Sequence, residues 1–161
     1  MISKDEVLNK LDYKPESGRF FWKSTGKMSG WVDQYGYRLT RINGRLCRDH
    51  HLVWLVETGE WPKSELDHKN NDRGNNRFDN LRLANRHQQG ANQTLQKRRE
   101  GKYKGVYQMK SGKYYAKIKH RGKQKYLGSY HTEEEAALVY NKKALELFGE
   151  FANLNEVTNE N

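Results

Sequence analysis

The strongest constraint on the fold lies in residues 103–149, where three strand-length runs are cut by two short turns and closed by a capped helix. The runs span residues 106–110, 114–119 and 125–130, and Ser111-Gly112 and Arg121-Gly122 separate them. Such dipeptides suit the tight turns of antiparallel hairpins, because glycine accepts positive φ. Thr132 is followed three positions later by Glu135, a capping box, with Glu133 and Glu134 in the first turn where the helix dipole favours acids. Ala136, Ala137, Tyr140, Ala144, Leu147 and Phe148 then recur at helical spacing until Gly149. The pattern predicts a three-stranded antiparallel sheet packed on one helix. Strand alternation sends Ala116 and Ile118 toward that helix and Tyr115, Lys117 and Lys119 to the opposite face.

Upstream, residues 1–48 carry short strand-like runs broken by glycines. Runs at 35–42 and 45–49 flank Asn43-Gly44, the preferred two-residue hairpin loop. Residues 50–59 predict a short helix stopped by Gly59 and followed by Trp61-Pro62. Between 65 and 92 the chain is dense in Asp, Asn, Arg and His, a composition that alone implies a solvated loop, and 93–102 is polar and basic, like a linker. The expected organisation is a first domain over 1–92, the linker over 93–102, a second domain over 103–155 and a polar tail over 156–161. With 161 residues, of which 34% are apolar and 31% charged, both cores must be thin. No apolar run approaches the ~18 residues of a membrane span, and the N-terminus shows no secretory signal, so a cytoplasmic protein without a membrane partner is expected. A single cysteine, Cys47, excludes an internal disulfide and a zinc knuckle built on thiolates.

The net charge is +10, and between Lys97 and Tyr126 twelve Lys and Arg side chains stand against one acid, Glu100. Tyr103, Tyr107, Tyr114, Tyr115 and Tyr126 are interleaved with those cations. Cations for phosphates and flat rings for sugars or bases point to nucleic acid as the partner. In the polar stretch, Asp67 precedes His68. Oxygen ligands beside one titratable base are what metal-assisted phosphodiester cleavage requires: a hard cation polarises the phosphate and a near-neutral histidine activates water.

His50-His51-Leu52-Val53, Gly59-Glu60-Trp61-Pro62, Asp67-His68 and Asn76-Arg77-Phe78-Asp79-Asn80-Leu81-Arg82, in that order, resemble the HNH endonucleases, in particular the phage and intron-associated homing type with a ββα-metal site. The resemblance covers residues 1–92. It implies that Asp67 ligates a divalent cation, Mg²⁺ or alternatively Mn²⁺, that His68 is the general base, and that Asn80 orients His68 through its amide. The family's third ligand position, about nine residues after the central Asn, is occupied here by Gln89, whose carbonyl oxygen suits a hard cation, with His87 as the alternative. His50 matches the family's first histidine and is assigned a structural place at the hairpin-to-helix junction.

Tyr103-Lys104-Gly105-Val106, Gly112-Lys113-Tyr114, Leu127-Gly128-Ser129-Tyr130 and Phe148-Gly149-Glu150-Phe151-Ala152-Asn153-Leu154-Asn155 resemble the ethylene-response-factor (APETALA-two) DNA-binding domain. In that family the sheet lies in the major groove. The resemblance implies that Lys104, Tyr107, Tyr115, Lys117, Lys119, Gln124 and Tyr126 face double-stranded DNA. The family's arginines and tryptophans are largely replaced by Lys, Tyr and Gln, so phosphate positioning should outweigh base readout. The whole is thus expected to be an α+β protein: an N-terminal ββα-metal HNH domain with β-hairpins and a C-terminal three-stranded sheet on one helix. It would act as a phage-encoded homing endonuclease on DNA, as monomer or dimer without an obligate protein partner, or alternatively as a non-catalytic DNA-binding regulator on a degenerate HNH fold.

Overall fold

The computed structural model describes residues 1–92 and 102–157. The chain divides into two compact units, Met1–Asn85 and Arg86–Asn161, and the architecture is α+β throughout.

The first unit opens with helix α1 (Lys4–Lys10), started by a capping box in which Ser3 and Glu6 bond each other's backbone N–H groups. Strands β1 (Leu11–Lys14) and β2 (Arg19–Trp22) form an antiparallel hairpin. A second sheet has the order β3 (Trp31–Val32), β4 (Arg38–Ile42), β5 (Arg45–Arg48). Its β4–β5 turn is Asn43-Gly44, both at positive φ, as the dipeptide implied. Helix α2 (Asp49–Thr58) follows directly and ends at Gly59 in the left-handed conformation. Val7, Leu11, Phe20, Ile42, Leu52 and Val53 are fully buried and join α1, the first hairpin, β4 and α2 in one core. Each such side chain contributes ~1.5–3 kcal/mol of burial.

The stretch 65–92 is not the solvated loop its composition implied. It forms an antiparallel hairpin of β6 (Glu65–His68) and β7 (Leu81–Ala84), then helix α3 (Arg86–Asn92). The few apolar residues fall where the hairpin needs them, since Leu66, Leu81 and Ala84 are buried. The polar residues between the strands satisfy one another's backbone. Asn70 Oδ1 accepts from Asp72 N, and Asp72 Oδ1 accepts from Gly74 N.

In the second unit, β8 (Val106–Gln108), β9 (Tyr114–His120) and β10 (Lys123–Tyr130) form an antiparallel sheet of order β10-β9-β8. β8 stops two residues short of the expected run, and β10 begins two earlier. Helix α4 (Glu133–Phe148) starts at the Thr132–Glu135 capping box and ends at Gly149. Ala116 and Ile118 are buried with Ala136, Ala137, Tyr140 and Ala144, which confirms the inward face. At Gly105, with φ +76°, a Cβ would meet the Tyr140 ring at 2.2 Å, so glycine there lets β8 approach α4. Nearly all of the expected linker, residues 93–101, lies outside the described residues.

Candidate nuclease site and nucleic-acid face

The first site is built on the β6–β7 hairpin and the start of α2. His68, the last residue of β6, is only 5% exposed. Its ring lies 5.0 Å from that of His50 in an edge-on arrangement and 6.2 Å from Tyr37. His50 in turn touches His51 at 4.5 Å and Tyr37 at 5.3 Å between centroids. His50 sits in the first turn of α2, directly after β5, with its ring against those of His68, His51 and Tyr37.

Burial pushes the His68 imidazole below its usual value, opposed by its hydrogen bond to Asn76 and by Asp67 and Asp72. A histidine held below its ordinary value is neutral at neutral pH, as a base must be. Its Nε2 lies 2.9 Å from Asn76 Oδ1. An amide oxygen only accepts, so this pairing places the proton on Nε2 and makes Nδ1 the basic nitrogen.

The orienting amide is thus Asn76, not Asn80. Asn80 Nδ2 donates to Asn70 Oδ1 and to the Asn75 carbonyl, and its Oδ1 accepts from Asn70 N. It is spent on bracing the loop between β6 and β7, and that loop presents Asn76. Asn76 is itself buried, and its backbone packs on Gly18 at the β1–β2 turn, where a Cβ would come within 2.2 Å. Gly18, at φ +66°, lets the first hairpin close over the residue that holds His68.

Asp67 stands beside His68 in β6, paired in register with Arg82. Arg82 Nε and Nη2 both donate to Asp67 Oδ2, at 3.0 and 2.9 Å, and both side chains are nearly buried. Among the described residues no three His, Cys, Asp or Glu side chains are grouped to hold a metal ion. The donor type nevertheless fits Mg²⁺, which is held by one or two protein oxygens with water and substrate phosphate completing the shell. Gln89, half-buried on α3, falls in the second unit. The side chain of His87 lies outside the described residues.

The second site is the outer face of the β8–β10 sheet. Tyr107 pairs with Tyr115, Tyr126 with Lys117 and Gln124 with Lys119, so six of the seven expected residues share that face. Tyr107 stacks on Tyr115 at 5.3 Å, and the Lys117 ammonium sits 4.3 Å over the Tyr107 ring. The stack fixes the cation between rings. Lys104 does not join them. Its ammonium donates to the Ala91 carbonyl, capping the end of α3, and burial lowers its pKa to about 8.

Asn76, Arg82 and Tyr37 were missed from the sequence. Arg82 had a signal: once β6 and β7 are a hairpin, register sets it opposite Asp67. Asn76 and Tyr37 had none, because the β6–β7 loop carries the first and the β3–β4 connection the second.

The comparisons agree with this geometry. The family model for HNH endonuclease matches residues 48–91, from the end of β5 through α3. A protein of Acanthamoeba polyphaga mimivirus named as an uncharacterized HNH endonuclease is 30% identical over 137 residues, 84% of this chain and 71% of its own length. The chain belongs to the HNH endonucleases. A dehydration-responsive element-binding protein of Arabidopsis thaliana is 46% identical over 55 residues, 33% of this chain and 27% of its own. No solved structure matches the chain, and no described helix is long and apolar enough to cross a membrane.

Proposed function

We propose that the protein is a divalent-metal-dependent DNA endonuclease of the free-standing homing kind, nicking or cleaving duplex DNA by phosphodiester hydrolysis. Residues 1–92 form the nuclease module, 93–102 a basic connector and 103–155 the DNA-binding module. One observation carries the catalytic half: a buried, neutral imidazole, His68, fixed by Asn76 and walled by His50, directly beside a carboxylate. Asp67 holds the ion, with Gln89, or alternatively His87, taken as its protein partner from the spacing in the sequence. Bound there, a divalent cation supplies Lewis-acid polarisation of the phosphate and charge stabilisation of the leaving oxygen. His68 Nδ1 takes the proton of the attacking water, while Asn76 keeps the tautomer and Asn80 keeps the loop that presents Asn76. The outer sheet face supplies affinity: Lys117 and Lys119 contact phosphates, and the Tyr107–Tyr115–Tyr126 rings lie against sugar and base edges.

Arg82 on Asp67 Oδ2 favours a second reading, a DNA-binding protein on a nuclease fold without turnover, because the guanidinium holds an oxygen a metal uses. Supercoiled plasmid incubated with the protein and Mg²⁺ or Mn²⁺, with EDTA and His68→Ala controls, separates the two. The endonuclease reading expects nicked or linear product, lost with chelator and with the variant. Tight binding without product in either metal, or equal product from His68→Ala, overturns it.

A further inference from the structure

Of the arginines around the first site, two are neutralised by carboxylates: Arg82 by Asp67 and Arg77 by Asp79. Arg48 and Arg73 have no carboxylate at ion-pair distance among the described residues. Both are exposed, and both lie over one ring, that of Tyr37, with their guanidinium carbons 4.9 and 4.8 Å from its centroid. Two like charges sharing a ring repel each other, and a bound anion would relieve that repulsion.

The local structure holds them there. Asp33 Oδ1 accepts from Tyr35 N and Tyr37 N, which fixes the turn that presents Tyr37. Arg73 Nη1 donates to the Tyr35 carbonyl at 2.9 Å, tying the β6–β7 loop to that turn. Arg48 is the last residue of β5, immediately before α2 and two residues from His50. The same Tyr37 ring borders both His50 and His68. A pair of unneutralised, pre-oriented guanidinium groups thus stands beside the ring cluster that includes the proposed base. Guanidinium forks match phosphate oxygens, and their aromatic seat reduces the rotamer freedom surrendered on binding.

We propose that Arg48 and Arg73, seated on Tyr37, form a clamp for the phosphodiester backbone of duplex DNA beside His68. This deepens the nuclease reading and rests on it for the identity of the anion. The clamp supplies register for the strand to be cut, separately from the affinity of the outer sheet.

The test uses the full-length protein and its Arg48→Gln/Arg73→Gln double variant, with Arg48→Lys/Arg73→Lys as the charge-retaining control. Binding to a duplex oligonucleotide is followed by fluorescence anisotropy in EDTA across a salt series, and nicking of plasmid is measured with Mg²⁺. Removing one cation that neutralises a phosphate lowers the slope of log Kobs on log salt by about 1, so the Gln pair should flatten it by roughly 2 and the Lys pair should restore it. Turnover at subsaturating DNA should fall about 10–100-fold in the Gln pair, with far-UV circular dichroism and thermal midpoint near wild type. An unchanged slope in a folded Gln variant overturns the clamp, whatever happens to cleavage. A flattened slope in a protein that never cleaves would overturn the nuclease reading and leave the clamp as a backbone-binding element. If the Gln pair fails to fold, the slope of Arg73→Gln alone decides, with a fall of about 1 expected and no change overturning the clamp.

Discussion

His68 is 5% exposed and surrounded by Asn76, His50 and Tyr37, whereas Tyr126, on the outer sheet of the second unit, is 59% exposed and lies against a neighbouring tyrosine. The chemistry-bearing groups of the first unit are desolvated, so their ionisation and orientation are set by fixed partners, at a cost in stability. Those of the second unit lie in water, where salt screens them and each contributes little alone. One region is therefore sensitive to single atoms and the other to total charge.

Turnover tests that contrast most severely. His68→Ala should lower the nicking rate about 10²–10⁴-fold, while affinity for uncleaved duplex changes little, because the buried imidazole offers almost no surface to the DNA. Tyr126→Ala should do the reverse, weakening binding and leaving the rate at saturating DNA unchanged. Plasmid nicking and anisotropy on both variants check this. Equal damage to rate and affinity in either variant would erase the distinction between the regions.

Stability comes next. Arg82→Ala removes the guanidinium that donates twice to the nearly buried Asp67 carboxylate and offsets its missing hydration. The expected loss is about 3–5 kcal/mol in urea unfolding, with most of it regained in Asp67→Asn/Arg82→Met, which removes both charges. Tyr126→Ala should change stability by less than about 1 kcal/mol.

A smaller effect sits in the wall behind His68. Burial raises the Asp49 carboxyl to about 6, against a hydrogen bond from Thr40 and the charge of Arg38, and burial lowers His50 to about 2, assisted by His51, His68 and Arg48. The two oppose each other. The raised Asp49 contributes stability that is complete below about pH 4 and lost as pH rises through 6. The depressed His50 contributes stability that is complete above about pH 6.5 and lost as pH falls. Between pH 6 and 4 the slopes nearly cancel. Asp49→Asn deletes one of them, so as pH drops from 6 to 4 its stability should fall more steeply than that of wild type, by about 1 kcal/mol per pH unit, the depressed His51 and His68 adding the same slope to both proteins. Parallel profiles in urea titrations at pH 4, 5 and 6 would show that neighbouring groups absorb the buried charge.

The same contrast explains how much of the molecule was legible in its sequence. The outer sheet was, because strand alternation and glycine turns act over two to four residues: Tyr115, Lys117 and Lys119 follow from period alone. The Asn43-Gly44 hairpin and the Thr132 cap are local in the same sense. The β6–β7 hairpin was not, since its strands are four residues long and the polar loop between them masks their few apolar positions. Helix α1 was missed although Ser3 and Glu6 carry the spacing of a capping box. In the site, Asp67 and His68 were found by their chemistry, but their partners arrive from elsewhere. Asn76 reaches His68 across a turn, Tyr37 comes from the β3–β4 connection, and Lys104 turns away toward α3 because a helix end offers it a carbonyl.

The smallest expected effect is the sharpest test of the second unit. Lys119 is exposed near the end of β9, paired in register with Gln124. Deleting one screened phosphate interaction at moderate salt should weaken duplex binding only a few-fold, and to a similar degree for any sequence. Its signature is the salt dependence: Lys119→Ala should lower the slope of log Kobs on log salt by about 1, so that the deficit grows as salt is reduced and fades as salt is raised. Lys117 has a different environment, its ammonium lying over Tyr107 and Tyr115. Lys117→Ala should lower the slope by the same amount and add a salt-independent loss, because the rings lose the cation that orders them. If the two variants have identical salt profiles, the tyrosine stack contributes nothing to DNA binding, and the outer face acts through charge alone.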